Sequence, residues 1–256
     1  MHADALAGIV PDWAVTGVGA LMTTRAGGVS RAPWDTLNVG DAVGDDPLAV
    51  AENRRRVASA IGVPVVYLRQ VHGTRVVRID AADASRVPIE ADAAVTDAAG
   101  VACAVQVADC LPVLFAAPGG RAVGAAHAGW RGLAGGVVEC TLDRVAALAG
   151  CAANEVAVWL GPCIGPRRFE VGDDVLGAFG VDPAGDASPH FVPRRRADGR
   201  WRWLCDLPGL ARERLAAAGA VRFDGGHGCT VEDRSAFFSY RRDGVTGRHV
   251  AAVWRR

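Results

Sequence analysis

The chain has 256 residues, 50% hydrophobic and 22% charged, and its 28 basic residues balance 28 acidic ones for a formal net charge of zero. That supplies apolar material for one sizeable core and argues against binding nucleic acid or a membrane surface through overall attraction. Every basic residue is arginine, which excludes a lysine Schiff base and a P-loop lysine. The start, Met1-His2-Ala3-Asp4, is neither basic nor apolar, and no run approaches membrane-spanning length. With seven scattered cysteines, an odd number, a cytoplasmic protein with reduced thiols is expected.

In chain order, Val15 to Met22 reads as a strand ending in Thr23-Thr24-Arg25-Ala26-Gly27-Gly28, where Arg25 can aim at an anion. Leu37-Asn38-Val39-Gly40 is a loop. Asp46-Pro47 then caps a helix that runs to Ile61 and stops at Gly62. Its Arg54-Arg55-Arg56 faces solvent. His72 lies in a polar break between strand-like Val65 to Leu68 and Arg75 to Ile79, and residues 80–91 form a polar connection.

The stretch from 92 to 132 holds the chemistry. Val101 to Val107 is a buried strand, Cys110 follows its end, and Pro112 limits how the chain continues. Arg121 to Ala126 is a second run leading to His127 at a strand-to-helix turn, and one helix is expected from Leu133 to Ala149, stopped by Gly150. Two imidazoles and a thiolate suit zinc, and three protein ligands leave a position open for water or substrate. The spacing has no H-x-x-x-H or C-x-x-C, so a buried cysteine with two hydrogen-bonded histidines stays open beside the metal reading. The glycines after His127 serve either an anion at a helix start or close helix-to-sheet packing.

Glu155 to Leu160 is a strand running into Gly161-Pro162-Cys163-Ile164-Gly165-Pro166, a rigid loop. Val181 to Gly199, including Arg194-Arg195-Arg196, reads as a surface loop. Trp201 to Leu204 is a strand, Asp206 caps a helix to about Ala218, and His249 to Trp254 closes the chain as a strand. Between them, Phe237-Phe238-Ser239-Tyr240-Arg241-Arg242-Asp243 can stack on a base and hold a phosphate.

Thr23-Thr24-Arg25, Leu37-Asn38-Val39-Gly40, Gln70-Val71-His72-Gly73, Ala108-Asp109-Cys110-Leu111-Pro112, His127-Ala128-Gly129-Trp130-Arg131-Gly132, the 161–166 loop and the 237–243 cluster together resemble the YfiH-type family, also called the laccase-domain or polyphenol-oxidase family. The resemblance covers nearly the whole chain. It implies an α+β fold, one compact domain over residues 1–256 with mixed β-sheets packed between helices. It also implies that His72, Cys110 and His127 bind zinc, or in some descriptions copper, at the active site. The activities it implies are purine nucleoside phosphorolysis on adenosine, inosine and methylthioadenosine with adenosine deamination beside it, laccase-like oxidation, and peptidoglycan editing.

A multicopper oxidase is excluded by six histidines without an H-x-H pair, although one copper in a His₂Cys site is not. Deamination lacks the H-x-E…P-C-x-x-C signature, so no proton-shuttling glutamate is assigned. Phosphorolysis needs an anion site, for which Arg25 and Arg241 are the candidates, with Gln70 and Asp109 orienting ligands or substrate. The expectation is therefore a cytoplasmic, zinc-dependent purine nucleoside phosphorylase whose partners are a nucleoside and phosphate, with no nucleic acid and no membrane. Its rivals are a copper-dependent oxidase, a hydrolase of peptidoglycan precursors with Cys110 as nucleophile and His127 or His72 as base, and a binding protein whose structural zinc is closed by Cys229 or His227.

Overall fold

The computed structural model describes residue 6 and residues 8–184 and 188–256; the reading of Met1 to Asp4, and the part of the expected surface loop at 185–187, lie outside the described residues. In chain order, β1 (Gly8–Ile9) and β2 (Val18–Thr23) precede helix α1 (Pro47–Ile61). Strands β3 (Val65–Val66) and β4 (Val76–Arg78) flank the His72 loop, and β5 (Ala93–Thr96), β6 (Ala102–Val107), β7 (Leu111–Ala116) and β8 (Val123–Ala128) follow. Helices α2 (Trp130–Gly135) and α3 (Val137–Ala149) lead to β9 (Ala157–Leu160) and β10 (Glu170–Val171). Next come α4 (Asp173–Ala178), β11 (Phe191–Arg195), β12 (Trp201–Cys205) and α5 (Leu207–Ala217). The chain closes with β13 (Arg222–Gly225), α6 (Tyr240–Asp243) and β14 (His249–Arg255).

The strands form three sheets, ordered β1-β2-β14-β6-β3, β13-β9-β7-β8-β5-β4 and β10-β12-β11, and the first two mix parallel and antiparallel pairs. Period-2 alternation stacks them. In β14, Val250 and Ala252 meet Val57 and Ile61 of α1, whereas Ala251 and Val253 turn to Leu114 and Ala125 of the six-stranded sheet. In β7, Leu114 and Ala116 face the first sheet, and Leu111, Val113 and Phe115 face Leu142 and Val145 of α3 and Leu215 of α5. The expected α+β fold with mixed sheets between helices is thus what the alternation builds.

Four local expectations differ from what is observed. β7 runs through Pro112, because Pro112 O accepts from Gly161 N at 2.9 Å and its nitrogen faces the same side, where the β9 ladder has already ended at Leu160 opposite Val113. β5 was hidden in a short run of small residues without alternation. The single helix expected from Leu133 is two, broken at Gly136 with φ 99°. The expected 181–199 loop contains β11, paired antiparallel with β12, and its charges stay exposed because this hairpin has only one covered face at Phe191.

His249, fully buried at the head of β14, accepts a hydrogen bond from Phe238 N at 2.7 Å through Nε2. Burial disfavours the charged ring and brings its pKa down to about 3. The folded pKa lies below the unfolded one, so His249 contributes stability that is full above about pH 6.5 and declines by about 1.4 kcal/mol per pH unit below it, down to the folded value. Urea titrations at pH 7 and pH 5 should show a larger loss for the wild type than for His249→Gln; equal losses would contradict this assignment.

Candidate metal centre and its cavity

Three chain breaks converge at the end of the six-stranded sheet. His72 sits in the loop before β4 with φ 62°, and Cys110 follows Asp109, which has φ 90°, at the entry to β7. His127 is the penultimate residue of β8, opposite Pro112, rather than in the turn after it. Side chains in left-handed backbone are sparse in proteins and concentrate at sites where surrounding structure holds them.

The ligand atoms of His72, Cys110 and His127 all lie within 4.8 Å of one another, and no other group of three such side chains does so among the described residues. Cys110 Sγ is 3.8 Å from His72 Nε2, and the two imidazole rings meet edge to face at 4.7 Å. A tetrahedral zinc with its usual bond lengths separates neighbouring sulfur and nitrogen ligands by about 3.5 Å, so this donor set fits a metal ion. Gly129 lies against it, and a Cβ there would stand 2.9 Å from His72 Cδ2 and 3.1 Å from Cys110 Sγ. The glycine keeps that space open.

Asp92, which sequence reasoning passed over, ties the histidines together. Its fully buried carboxylate accepts from Val71 N at 3.2 Å, His72 N at 2.8 Å and Gly73 N at 2.7 Å, and bonds His127 Nδ1 at 2.8 Å. A carboxylate only accepts, so Nδ1 carries the proton and Nε2 keeps its lone pair for a metal. Burial opposes ionisation of Asp92, yet the bonds from His127 and the loop amides hold its pKa below the usual carboxylate range. Without a metal, burial also opposes a Cys110 thiolate, but the charge and hydrogen bond of His127, with His72, prevail and bring the thiol down to about 6. His127 rises to about 9 for the reciprocal reason, burial being outweighed by Cys110 and Asp92.

The three donors line a cavity of about 900 Å³, a size that takes a small organic ligand. Its wall includes apolar Val87, Pro88, Ile164, Phe169 and Leu207, aromatic Tyr67, Trp130 and Tyr240, and Arg69, Arg131, Arg241 and Arg248. Of the other expected site residues, Gln70, Asp109 and Arg241 line it and Arg25 does not. The Gln70 amide is locked to β6, donating to Gln106 O at 2.8 Å and accepting from Gln106 N at 2.7 Å. Asp109 accepts from the Thr230 hydroxyl at 2.5 Å and from Arg241 N at 2.6 Å.

Arg25 instead clamps the chain, donating to Asp35 O at 2.9 Å, Asp35 Oδ2 at 3.1 Å and Arg234 O at 3.1 Å beneath Phe238. The glycines after His127 serve packing: a Cβ at Gly132 would meet Gly73 O at 2.8 Å, and one at Gly135 would meet Thr74 Cγ2 at 2.7 Å. Cys229 accepts from Gly165 N at 3.2 Å and, like His227, stands outside the three-donor group.

Residues 19–256 match the family described as multi-copper polyphenol oxidoreductase laccase. A purine nucleoside phosphorylase of Pseudomonas aeruginosa is 49% identical, the match covering 96% of this chain and 97% of the relative. The purine nucleoside phosphorylase YfiH of Escherichia coli is 46% identical, over 96% and 98% of the two chains. The crystal structure of Neisseria meningitidis protein NMB0706 superposes with a TM-score of 0.86 at 46% identity, covering 97% of this chain and 98% of that one. No helix among the described residues is long and apolar enough to cross a membrane.

Proposed function

The chain belongs to the multi-copper polyphenol oxidoreductase laccase family, and from that membership and its relatives' names we propose that it is a zinc-dependent purine nucleoside phosphorylase. Residues 1–256 work as one domain in the cytoplasm, taking adenosine, inosine or methylthioadenosine with phosphate to the free base and ribose 1-phosphate. The observation that carries the reading is the open His72, Cys110 and His127 set on the wall of a cavity that also presents arginine guanidinium groups. An oxidase with several coppers would need more donor groups than this one, whereas three donors of this kind suit a single zinc.

On this reading His72, Cys110 and His127 hold the metal, which supplies Lewis acidity toward a substrate oxygen or a bound water. Phosphate oxygen attacks C1′ of the ribose as the bond to the purine nitrogen breaks; the bonding pair leaves with the base, which takes the proton given up by hydrogen phosphate, directly or through water. Asp92 keeps His127 in one tautomer and fixes the His72 loop, so the donors need no rearrangement during the reaction. Phe169, Ile164 and Leu207 give the purine an apolar wall, and Arg241 brings positive charge over Phe169, 5.4 Å from its ring centroid. Deamination of adenosine accompanies phosphorolysis but runs slower. The cavity's carboxylates are both engaged, Asp109 as above and Asp41 with Arg54 at 3.1 Å, which leaves no free proton shuttle among the described lining residues.

The test is to incubate zinc-assayed protein with adenosine or inosine, with and without phosphate, and to resolve base, ribose 1-phosphate and deaminated product. Base release that requires phosphate is the expected result; none at full zinc occupancy would overturn the reading.

One observation favours the cysteine hydrolase as a second reading, because Cys110, His127 and Asp92 are arranged as nucleophile, base and orienting carboxylate once metal is removed. Metal occupancy separates the two. Iodoacetamide should alkylate Cys110 in stripped protein with a rate that rises through about pH 6, following its lowered pKa, and should spare it in zinc-loaded protein. Rapid modification of the zinc-loaded protein would favour the hydrolase.

A further inference from the structure

Arg248, which lines the same cavity, is a cation without an anion. Its Nη1 donates to Thr246 O at 3.2 Å and Gly247 O at 3.1 Å, and its guanidinium lies 5.8 Å from the Tyr240 ring centroid. No carboxylate among the described residues forms an ion pair with it. The nearby Asp109 carboxylate is already satisfied by Thr230 and by the Arg241 main chain. The edge formed by Nε and Nη2 therefore has no acceptor within the described protein. That edge is the planar fork with which arginine grips an oxyanion through two parallel hydrogen bonds.

Buried polar groups hold the main chain of Arg248 in place. Asn38 Oδ1 accepts from Arg248 N at 2.8 Å and from Gly40 N at 2.8 Å, and Val39 N donates to Arg248 O at 3.2 Å. Asn38 is itself held, donating to Asp45 Oδ2 at 2.8 Å while its carbonyl accepts from Asn53 Nδ2 at 2.8 Å. Both asparagines are fully buried. Gly40 provides the slot for the arginine stem, since a Cβ there would stand 2.6 Å from Arg248 Cγ and 3.1 Å from Arg248 Cβ. The Leu37-Asn38-Val39-Gly40 loop thus packs against the arginine it fixes.

We propose that the free edge of the Arg248 guanidinium is the binding site for inorganic phosphate in this cavity, with Asn38 and Gly40 as its positioning residues. The assignment rests on the phosphorylase reading above and names the group that delivers its second substrate. Arg241 and Arg131 are weaker candidates. Both are exposed, Arg241 over the Phe169 ring at 5.4 Å and Arg131 over the Trp130 ring at 4.2 Å, whereas Arg248 is half-buried.

The experiment titrates inorganic phosphate, and separately adenosine 5′-monophosphate, into zinc-loaded wild type, Arg248→Met, Arg248→Lys and Gly40→Ala by calorimetry. The KM for phosphate is measured alongside. Arg248→Met should weaken phosphate binding and raise that KM at least about tenfold, with Arg248→Lys recovering part of the loss as a point charge without the fork. Gly40→Ala keeps the guanidinium but displaces its stem, so it should raise the phosphate KM several-fold while kcat stays near wild type. Zinc content and thermal unfolding report whether each variant is folded, and the Arg248 main-chain bonds to Asn38 and Val39 do not depend on its side chain.

Wild-type phosphate affinity in Arg248→Met would overturn the site, and phosphorolysis persisting there at wild-type KM would leave the phosphorylase reading standing without it. Arg248-dependent phosphate binding in a wild type that performs no phosphorolysis would sink the reading and keep the site. Binding of the nucleotide but not of free phosphate would overturn the assignment to inorganic phosphate.

Discussion

Cys110→Ala is expected to lose zinc and turnover together while the protein stays folded. The thiolate is the one sulfur in the donor set, and without it two imidazoles remain, too few to hold zinc in an open catalytic site. Its side chain is half-buried at the cavity wall and touches only the margin of the core cluster that encloses Cys103, and alanine keeps the Cβ, so the loss of one sulfur leaves the sheets folded. Elemental analysis should find zinc reduced to a small fraction of one per chain, and phosphate-dependent base release should drop by at least about a hundredfold. Metal binding adds to apparent stability, so the melting point of the variant should match that of chelated wild type rather than zinc-loaded wild type. Undiminished turnover in the variant would remove Cys110 from the site.

Asp92→Asn should have the second largest effect, and through a residue that touches neither metal nor substrate. Each Asp92 oxygen accepts two hydrogen bonds, Oδ1 from His72 N and His127 Nδ1 and Oδ2 from Val71 N and Gly73 N. An amide can present only one oxygen, and its NH₂ must face donors, so either the His127 ring or the His72 loop loses its partner. Loss of such a support for metal-ligating histidines costs about 10–100-fold in metal affinity, and a buried unsatisfied donor costs about 1–3 kcal/mol of stability. Competition with a zinc chelator checks the first and urea unfolding the second. Wild-type zinc affinity in a destabilised variant would make Asp92 structural only.

The pattern of what could be read in advance follows from range. His72, Cys110 and His127 stood out as donors because each lies at or beside the break of an apolar run, but their convergence on one metal was implied by the family resemblance and not by the spacing. Helix α1 announced itself by Asp46, whose side chain accepts from Leu48 N, by Pro47 and by Gly62 at φ 81°. Asp92 was not legible: it precedes four small buried residues, and its partners are 19 to 35 positions away. Arg248 depends on Asn38, 210 positions earlier, and no local pattern separates it from the chain's other arginines. Arg25 shows the converse, since its loop suggests an anion site and its guanidinium is instead committed to Asp35 and Arg234.

The most direct test of the central claim is the rate of phosphate-dependent base release measured across one preparation at graded zinc occupancy, from chelated to fully reloaded. A rate that rises in proportion to bound zinc from a zero intercept, and that Cys110→Ala cannot recover on reloading, is the result expected of a metal held by His72, Cys110 and His127. Full base release from zinc-free protein would contradict it.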